Sequence, residues 1–550
     1  MPTQVSPQGV GIEQNRGIGI VEQFEPSAGQ LLRRRAQEIG EHAFVRCAGP
    51  WISYAEMDDR SDRVAGAMVQ LGVQEGDRVI VLSTNSTDMI EIVFGCSKAG
   101  AVLVPVNTYL RGELLQHQLT DADASIAFVD EAGLATIQSL ASEVPFRNVV
   151  LIGETIHPHP EAITLDQLKA FGAPPPALQV KPSDLAALVY TSGTTGPSKG
   201  CMIPNGVFTA MYAPLRDIGY VRAGDRLLTP SPLFHIGGLA AMLMGPLGVG
   251  SAVSFLPHFS ASHFMKEARQ IEATVVYGVG AVGVALLAQP PSDDDLNHTL
   301  RLAVWIPMPE GKADEFQQRF GVRTAAESYG QTEFVPIGMV SSDEPQVRGS
   351  AGRASSFAEV CIVDENDDQV PPGQVGEIVV RPNRPNLMFQ GYWRQPEASL
   401  RTMRNLWHHT GDVGRLDDNG NIFIVDRKSD VLRRRGENIS SMQLETIIRR
   451  FPAIDDVAVH GIPSEMGDQD IKACIRMVGT AKLEPAELFA FFEKALPYFA
   501  IFRYIEVVDE FPTNANGRVR KDVLRAAGIT PDTWDLTAMG FSVSRENRRG

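Results

Sequence analysis

At 550 residues the chain is too long for one small core and calls for about three or four domain-sized units. With 66 Asp and Glu against 50 Lys and Arg its net charge is −16, which sets aside nucleic acid and anionic membranes as default partners. The five cysteines, at 47, 96, 201, 361 and 474, are scattered with no C-x-x-C pair, so neither a disulfide framework nor a zinc site is indicated and a reducing, cytoplasmic setting fits.

From the N-terminus, residues 1–22 have no apolar run of the kind a signal peptide needs and read as a loose arm. Beyond them helical and strand-type segments alternate. GQLLRRRAQEI reads as a helix, RVIVLS (78–83) as a strand, STDMIEIVFGCSKAG as a helix and AVLVPV (101–106) as a strand; ELLQHQLTDAD, SIAFVD and NVVLIG continue the pattern. Such alternation predicts an α/β fold with parallel-type sheets covered on both faces by helices. LAALV (185–189) then runs into YTSGTTGPSKG (190–200), a strand spilling into a loop. Its glycines let backbone N–H groups face an anion, while hydroxyls and Lys199 add donors and charge. It is not a Walker A loop, because Ser198 stands where that motif needs glycine.

Residues 237–256 are uncharged and long enough to raise the question of a membrane span, but glycines and Pro246 interrupt them, so a buried helix followed by a strand is expected. From about 350 the short strands EVCIVD, GEIVVRP and GNIFIVDR, separated by VPPGQVG and DDNGN, predict a small β-rich subdomain. It closes a large N-terminal domain running over 23–426. A smaller α+β domain is expected over 430–530 and a tail over 531–550.

Five stretches occur in order: YTSGTTGPSKG, PLFHIGG (232–238), ESYGQTE (327–333), HHTGDVGRLD (408–417) and DRKSDVLRRRGENIS (426–440). Together they resemble the adenylate-forming superfamily of acyl-CoA synthetases, aryl-CoA ligases, peptide-synthetase adenylation domains and luciferases, over roughly residues 25–530. The resemblance implies an ATP-dependent acyl-CoA ligase. A small-molecule carboxylic acid attacks the α-phosphate of Mg2+-bound ATP, pyrophosphate leaves, and the thiol of coenzyme A then displaces AMP. Phosphoryl transfer asks for positioning and charge neutralisation more than covalent help. Thr191, Ser192, Gly193, Thr194, Thr195 and Gly196, with Lys199, would accordingly close on the β- and γ-phosphates.

By the same resemblance Glu333 is the Mg2+-associated carboxylate, Thr332 the α-phosphate contact, and Ser328 and Tyr329 nucleotide contacts, Tyr329 lying against the adenine. Asp412 would accept both ribose hydroxyls, and Arg427 would be a second ribose or phosphate contact. His235 would border the substrate carboxylate, with Gly237, Gly238, Ala241, Tyr277, Gly278 and Gly280 around a roomy pocket for a bulky or medium-chain acid. Arg435 and Gly436 would meet CoA, and the C-terminal domain would swing about Ser429 between the two half-reactions. A homodimer is compatible with this family; a membrane span and a nucleic-acid partner are not expected.

Two stretches depart from the family pattern. Where small residues usually let the backbone pass close to the purine, this chain has Trp305-Ile306-Pro307-Met308-Pro309, whose bulk calls for a different path. Where Gly-Lys is usual near the C-terminus, FPTNANGRVRK places Arg518, a planar fork in place of a point-charge ammonium. Arg518 is expected to serve as the catalytic cation with a slower first step, and Lys521 is an imperfect substitute. Two other readings stay open: an amide ligase that passes the acyl group to an amine, and an impaired paralogue that binds adenylates or acyl-CoA without turnover.

Overall fold

The computed structural model describes residues 22–542 apart from 111, 141–145, 158, 160–161, 172–173, 192–197, 310, 429, 435–436, 464–468, 480, 482, 497–499 and 515–516. Two seven-stranded sheets make up most of the N-terminal part. One runs, in spatial order, Ile163–Thr164, Asn148–Leu151, Ile126–Val129, Arg78–Leu82, Val102–Pro105, Leu185–Thr191, Lys199–Pro204. Its neighbours are parallel except the last pair, an antiparallel hairpin with Thr191 opposite Lys199. The ends of the glycine-rich loop are thereby fixed, although Ser192, Gly193, Thr194, Thr195 and Gly196 lie outside the described residues. The other sheet runs Thr324–Ala325, Leu302–Trp305, Val275–Gly278, Arg226–Thr229, Ala252–Phe255, Ala43–Cys47, Ile52–Ser53, parallel up to its last pair.

Alternation along each strand supplies both faces with apolar side chains, as a doubly covered sheet requires. Val79 and Val81 enter the largest core, while Ile80 and Leu82 enter another on the opposite face. In the second sheet Val275 and Val304 share that largest core, whereas Val276, Ala303 and Trp305 face away. The helices Ala28–Ile39, Tyr54–Gln70 and Thr87–Ala99 contribute Leu31, Val64, Ile92 and Phe94 to the same core, so a helical layer lies between the sheets. Ser27, Ser53 and Ser86 start these helices by accepting the N–H groups of Gln30, Glu56 and Met89.

The uncharged stretch after His235 folds as expected into buried helix and then strand, Gly237–Met244, Gly245–Val249 and Ala252–Phe255. Its first segment is wound as a π-helix, a rare form that is frequent at functional sites. No helix among the described residues is long and apolar enough to cross a membrane.

Ala358–Val363, Gly376–Pro382, Met403–Arg404, Trp407–Leu416 and Ile422–Arg427 form an antiparallel sheet. The hairpin Val431–Arg434 with Glu437–Ser440 follows. A last sheet of Ile454–Pro463, Gln469–Met477, Tyr504–Val507 and Trp534–Asp535 has its own core. The fold therefore continues past residue 530, where a tail is expected: Trp534–Asp535 pairs with Tyr504 and Ile505, and Leu536 is buried. At the other end Glu22, assigned to the loose arm, accepts hydrogen bonds from Arg216 and Tyr212.

Candidate active site

The parallel strands ending at Gly278, Trp305 and Ala325 bring their C-terminal ends together, which is where open α/β sheets place ligands. Strand alternation resolves the bulk of the Trp305 loop. Trp305 points to the far face and packs against Phe264 and Phe316, with ring centroids 5.9 and 5.6 Å away. The helix Gly280–Leu287 seats directly on this loop: a Cβ at Gly280 would come within 1.8 Å of the Pro307 carbonyl oxygen, and one at Gly283 within 2.9 Å of Trp305. Gly280 thus serves helix packing. Gly278 is backed by Trp305 and Gly238 by the Pro232 carbonyl, and Ala241 is buried in the core. Of the pocket glycines only Gly237 faces open space. Tyr277 is half-buried at the strand end.

His235, half-buried beside Phe234, has its pKa lowered to about 4 by burial and by the positive charge of Arg518, so it is neutral at ordinary pH. Cavities of about 510 and 280 Å3 lie elsewhere, one lined by Gly76, Ser97 and Asn205 and the other by Ile218, Val340 and Gly352, and neither is lined by any of these site residues.

Next to the loop, Gln331 and Phe334 exchange backbone hydrogen bonds of 2.9 and 3.1 Å, closing a tight turn with Thr332 and Glu333 at its tip. The Tyr392 hydroxyl donates to Glu333 Oε1 at 2.7 Å, and Lys199 Nζ lies 4.7 Å from the centre of the Tyr392 ring. Carboxylate, phenol and ammonium are thus gathered at the mouth of the glycine-rich loop. Ser328 donates its hydroxyl to the Gly338 carbonyl across the turn.

Asp412 and Arg427 stand opposite each other on neighbouring strands, with Arg427 Nε 2.8 Å from Asp412 Oδ1. Asp412 Oδ2 accepts from the Tyr329 hydroxyl at 2.5 Å and from Gln331 Nε2 at 2.7 Å. Burial raises the pKa of this carboxyl against the pull of Arg427, Tyr329, Gln331 and Arg518. Tyr329 therefore joins the expected ribose carboxylate directly.

Arg518 arrives from the C-terminal domain. The residue stays accessible at the rim, but its guanidinium is desolvated, with Arg427 lowering its pKa and Asp412 raising it. Lys521 points elsewhere: its Nζ is 2.7 Å from Glu445 and 2.6 Å from Ser441 Oγ, so it is not available as a substitute. Arg434 is held by Asp470 and the Ile501 carbonyl. Arg435, Gly436 and Ser429 lie outside the described residues.

Sequence reasoning missed three residues here. Tyr392 and Gln331 act through partners far along the chain, although Gln331 stood within a quoted motif. Glu327 is the third: half-buried with its pKa pushed up to about 7 by burial. Such an acid is protonated in the fold and ionised in the unfolded chain between about 4.5 and 7, so stability falls across that window and stays reduced above it. Glu327→Gln should therefore raise the melting temperature at pH 8.5 and lose that advantage as pH approaches 4.5, as thermal unfolding across the pH range will read out.

Comparison with known proteins sharpens this geometry. The chain matches the family described as AMP-binding enzyme over residues 32–393 and the AMP-binding enzyme C-terminal domain over 443–518. It is 31% identical over 500 residues to crotonobetaine/carnitine--CoA ligase of Salmonella enteritidis PT4, covering 88% of this chain and 95% of that one. It is likewise 31% identical over 497 residues to feruloyl-CoA synthase of an Amycolatopsis species, covering 90% and 97%. Its fold superposes on ATP-bound MatB from Rhodopseudomonas palustris with a TM-score of 0.79 at 28% identity, covering 91% and 98%.

Proposed function

The chain belongs to the AMP-binding enzyme family and is an ATP-dependent, AMP-forming acyl-CoA ligase, and we propose that its first half-reaction is carried by Asp412, Arg427, Arg518, Glu333 and Lys199. The observation that carries this reading is the Asp412–Arg427 ion pair, 2.8 Å across neighbouring strands, with Tyr329 and Gln331 bonded to the same carboxylate and Arg518 near enough to act on its charge. Asp412 and Arg427 hold the ribose end of ATP. Lys199 and the loop it closes meet the β- and γ-phosphates. Arg518 neutralises charge as a carboxylate oxygen bonds to the α-phosphorus and the bond to the pyrophosphate oxygen breaks. His235, neutral down to about pH 4, lines the carboxylate's approach without charge. In the second step the CoA sulfur attacks the acyl carbon and AMP leaves.

No group of three or more His, Cys, Asp or Glu able to hold a metal occurs among the described residues. The donor set instead fits an ion carried in by nucleotide phosphates: Glu333, at the tip of its turn, presents a hard oxygen of the kind Mg2+ accepts. There the ion would neutralise phosphate charge.

For the acyl substrate we infer a bulky or medium-chain acid, supported by the open space at Gly237 and by Tyr277 being only half-buried at its strand end. Pyrophosphate release from Mg·ATP, measured against aromatic, branched and straight-chain acids with and without CoA, tests the proposal. Release should depend on one acid class, with thioester formed only when CoA is added. ATP binding without release for any acid would overturn it in favour of a non-catalytic relative.

A further inference from the structure

Two opposite charges meet at the mouth of the glycine-rich loop, and one neutral side chain holds both. Lys199 Nζ lies 4.7 Å from the centre of the Tyr392 ring, while Glu333 Oε1 accepts the Tyr392 hydroxyl at 2.7 Å. Lys199 and Glu333 make no ion pair with each other among the described residues. The face of an aromatic ring attracts an ammonium without cancelling its charge, and a phenol donates to a carboxylate without neutralising it. Direct pairing of the two would neutralise both.

The placement of Tyr392 is fixed by its surroundings. Thr191 stands opposite Lys199 and Val189 opposite Cys201, so Lys199 and Cys201 share one face of their strand. Tyr392 bridges to Cys201 through the backbone, and the Trp393 N–H donates to the Gly200 carbonyl at 2.8 Å. The Phe389 N–H donates to the Glu333 carbonyl at 2.9 Å, and the Phe389 ring meets Tyr392 edge-on with centroids 5.1 Å apart. Tyr392 is 6% exposed, and burial, with the charge of Glu333, raises its pKa and keeps the hydroxyl a donor. Cys201 is fully buried and within reach of both charges; burial holds its thiol neutral, so it competes for neither.

We propose that Tyr392 is a positioning residue that keeps Lys199 and Glu333 apart, leaving the ammonium free for the ATP phosphates and the carboxylate free for the Mg2+ they carry. This rests on Lys199 meeting the phosphates.

Titration calorimetry of ATP, without metal and with Mg2+, tests it. Tyr392→Leu removes ring and hydroxyl together, lets the two charges pair, and should weaken metal-free ATP about tenfold. Adding Glu333→Gln to that variant removes the group that captures Lys199, so metal-free ATP binding should return to within about twofold of the natural protein, read as a double-mutant cycle against Glu333→Gln alone. A merely structural role for Tyr392 would leave the loss unrescued and overturn the proposal, as would an unchanged metal-free affinity in Tyr392→Leu. Should the leucine variant fail to fold, Tyr392→Phe decides. It keeps the ring on Lys199, so it should lose roughly tenfold of the Mg2+-dependent gain in ATP affinity but less than about threefold of the metal-free affinity, and equal losses in both, or none, overturn the proposal. Lys199→Met separates the underlying reading: unchanged metal-free binding removes Lys199 from the phosphates and the proposal falls with it, whereas weakened binding beside an unrescued Tyr392→Leu defeats only the role of Tyr392.

Discussion

Arg518→Ala should slow acid-dependent pyrophosphate release by about 10²–10³-fold, the effect of removing one preorganised group that stabilises transition-state charge. Thioester formation from a supplied acyl-adenylate should change far less. The backbone around Arg518 is built to hold it still. Thr513 and Val519 bridge, Asn514 N–H donates to the Arg518 carbonyl at 2.8 Å, and the Asn514 side chain accepts the Arg518 N–H at 3.0 Å. Gly517 takes φ +75° there, a left-handed turn that suits glycine. Lys521 does not replace the guanidinium, because it is committed to Glu445 and Ser441. Arg518→Lys, which keeps charge but not the fork, should fall between the natural protein and the alanine variant. Pyrophosphate release in Arg518→Ala equal to that of the natural protein would remove Arg518 from the chemistry.

Much of this arrangement is legible in the sequence because it is local. The apolar runs at 78–82, 102–105 and 126–129 announce buried parallel strands, and the serines before three helices announce their starts. What escapes is long-range pairing. Tyr392 meets Glu333 across 59 positions and Gln331 meets His408 across 77, and no periodicity encodes such contacts. The Trp305 loop shows the opposite case. Its bulk suggests crowding at the purine, yet the period of two that puts Val304 in one core sends Trp305 to the other. The π-winding of Gly237–Met244 had no sequence signature, since a uniformly apolar stretch carries no phase to separate one helical pitch from another. Past residue 530 the basic C-terminal end suggested a tail, but one short strand and buried Leu536 extend the last sheet.

Asp412→Asn should weaken AMP and ATP by about 100-fold or more while changing the melting temperature by only about 3 °C, a pairing few substitutions at a 4%-exposed site would give. Burial already opposes the charge on Asp412, so an isosteric amide removes a desolvation cost from the fold even as it removes an anion from the site. The functional loss is double. The ribose loses its charged acceptor, and Arg518, whose proton affinity Arg427 lowers, loses the opposing pull of the carboxylate. Since Asp412 attracts Arg518, the variant should also disfavour docking of the C-terminal domain in the orientation of the first half-reaction, and pyrophosphate release should fall further than ATP affinity alone requires. The pH dependence has a definite sign. As pH falls toward the raised pKa of Asp412, protonation removes the acceptor and AMP binding weakens, and this acid limb should be absent from Asp412→Asn. Calorimetry of AMP between pH 4.5 and 8 measures both effects; a variant that binds like the natural protein at pH 8 would place the nucleotide away from the Asp412 and Arg427 strands.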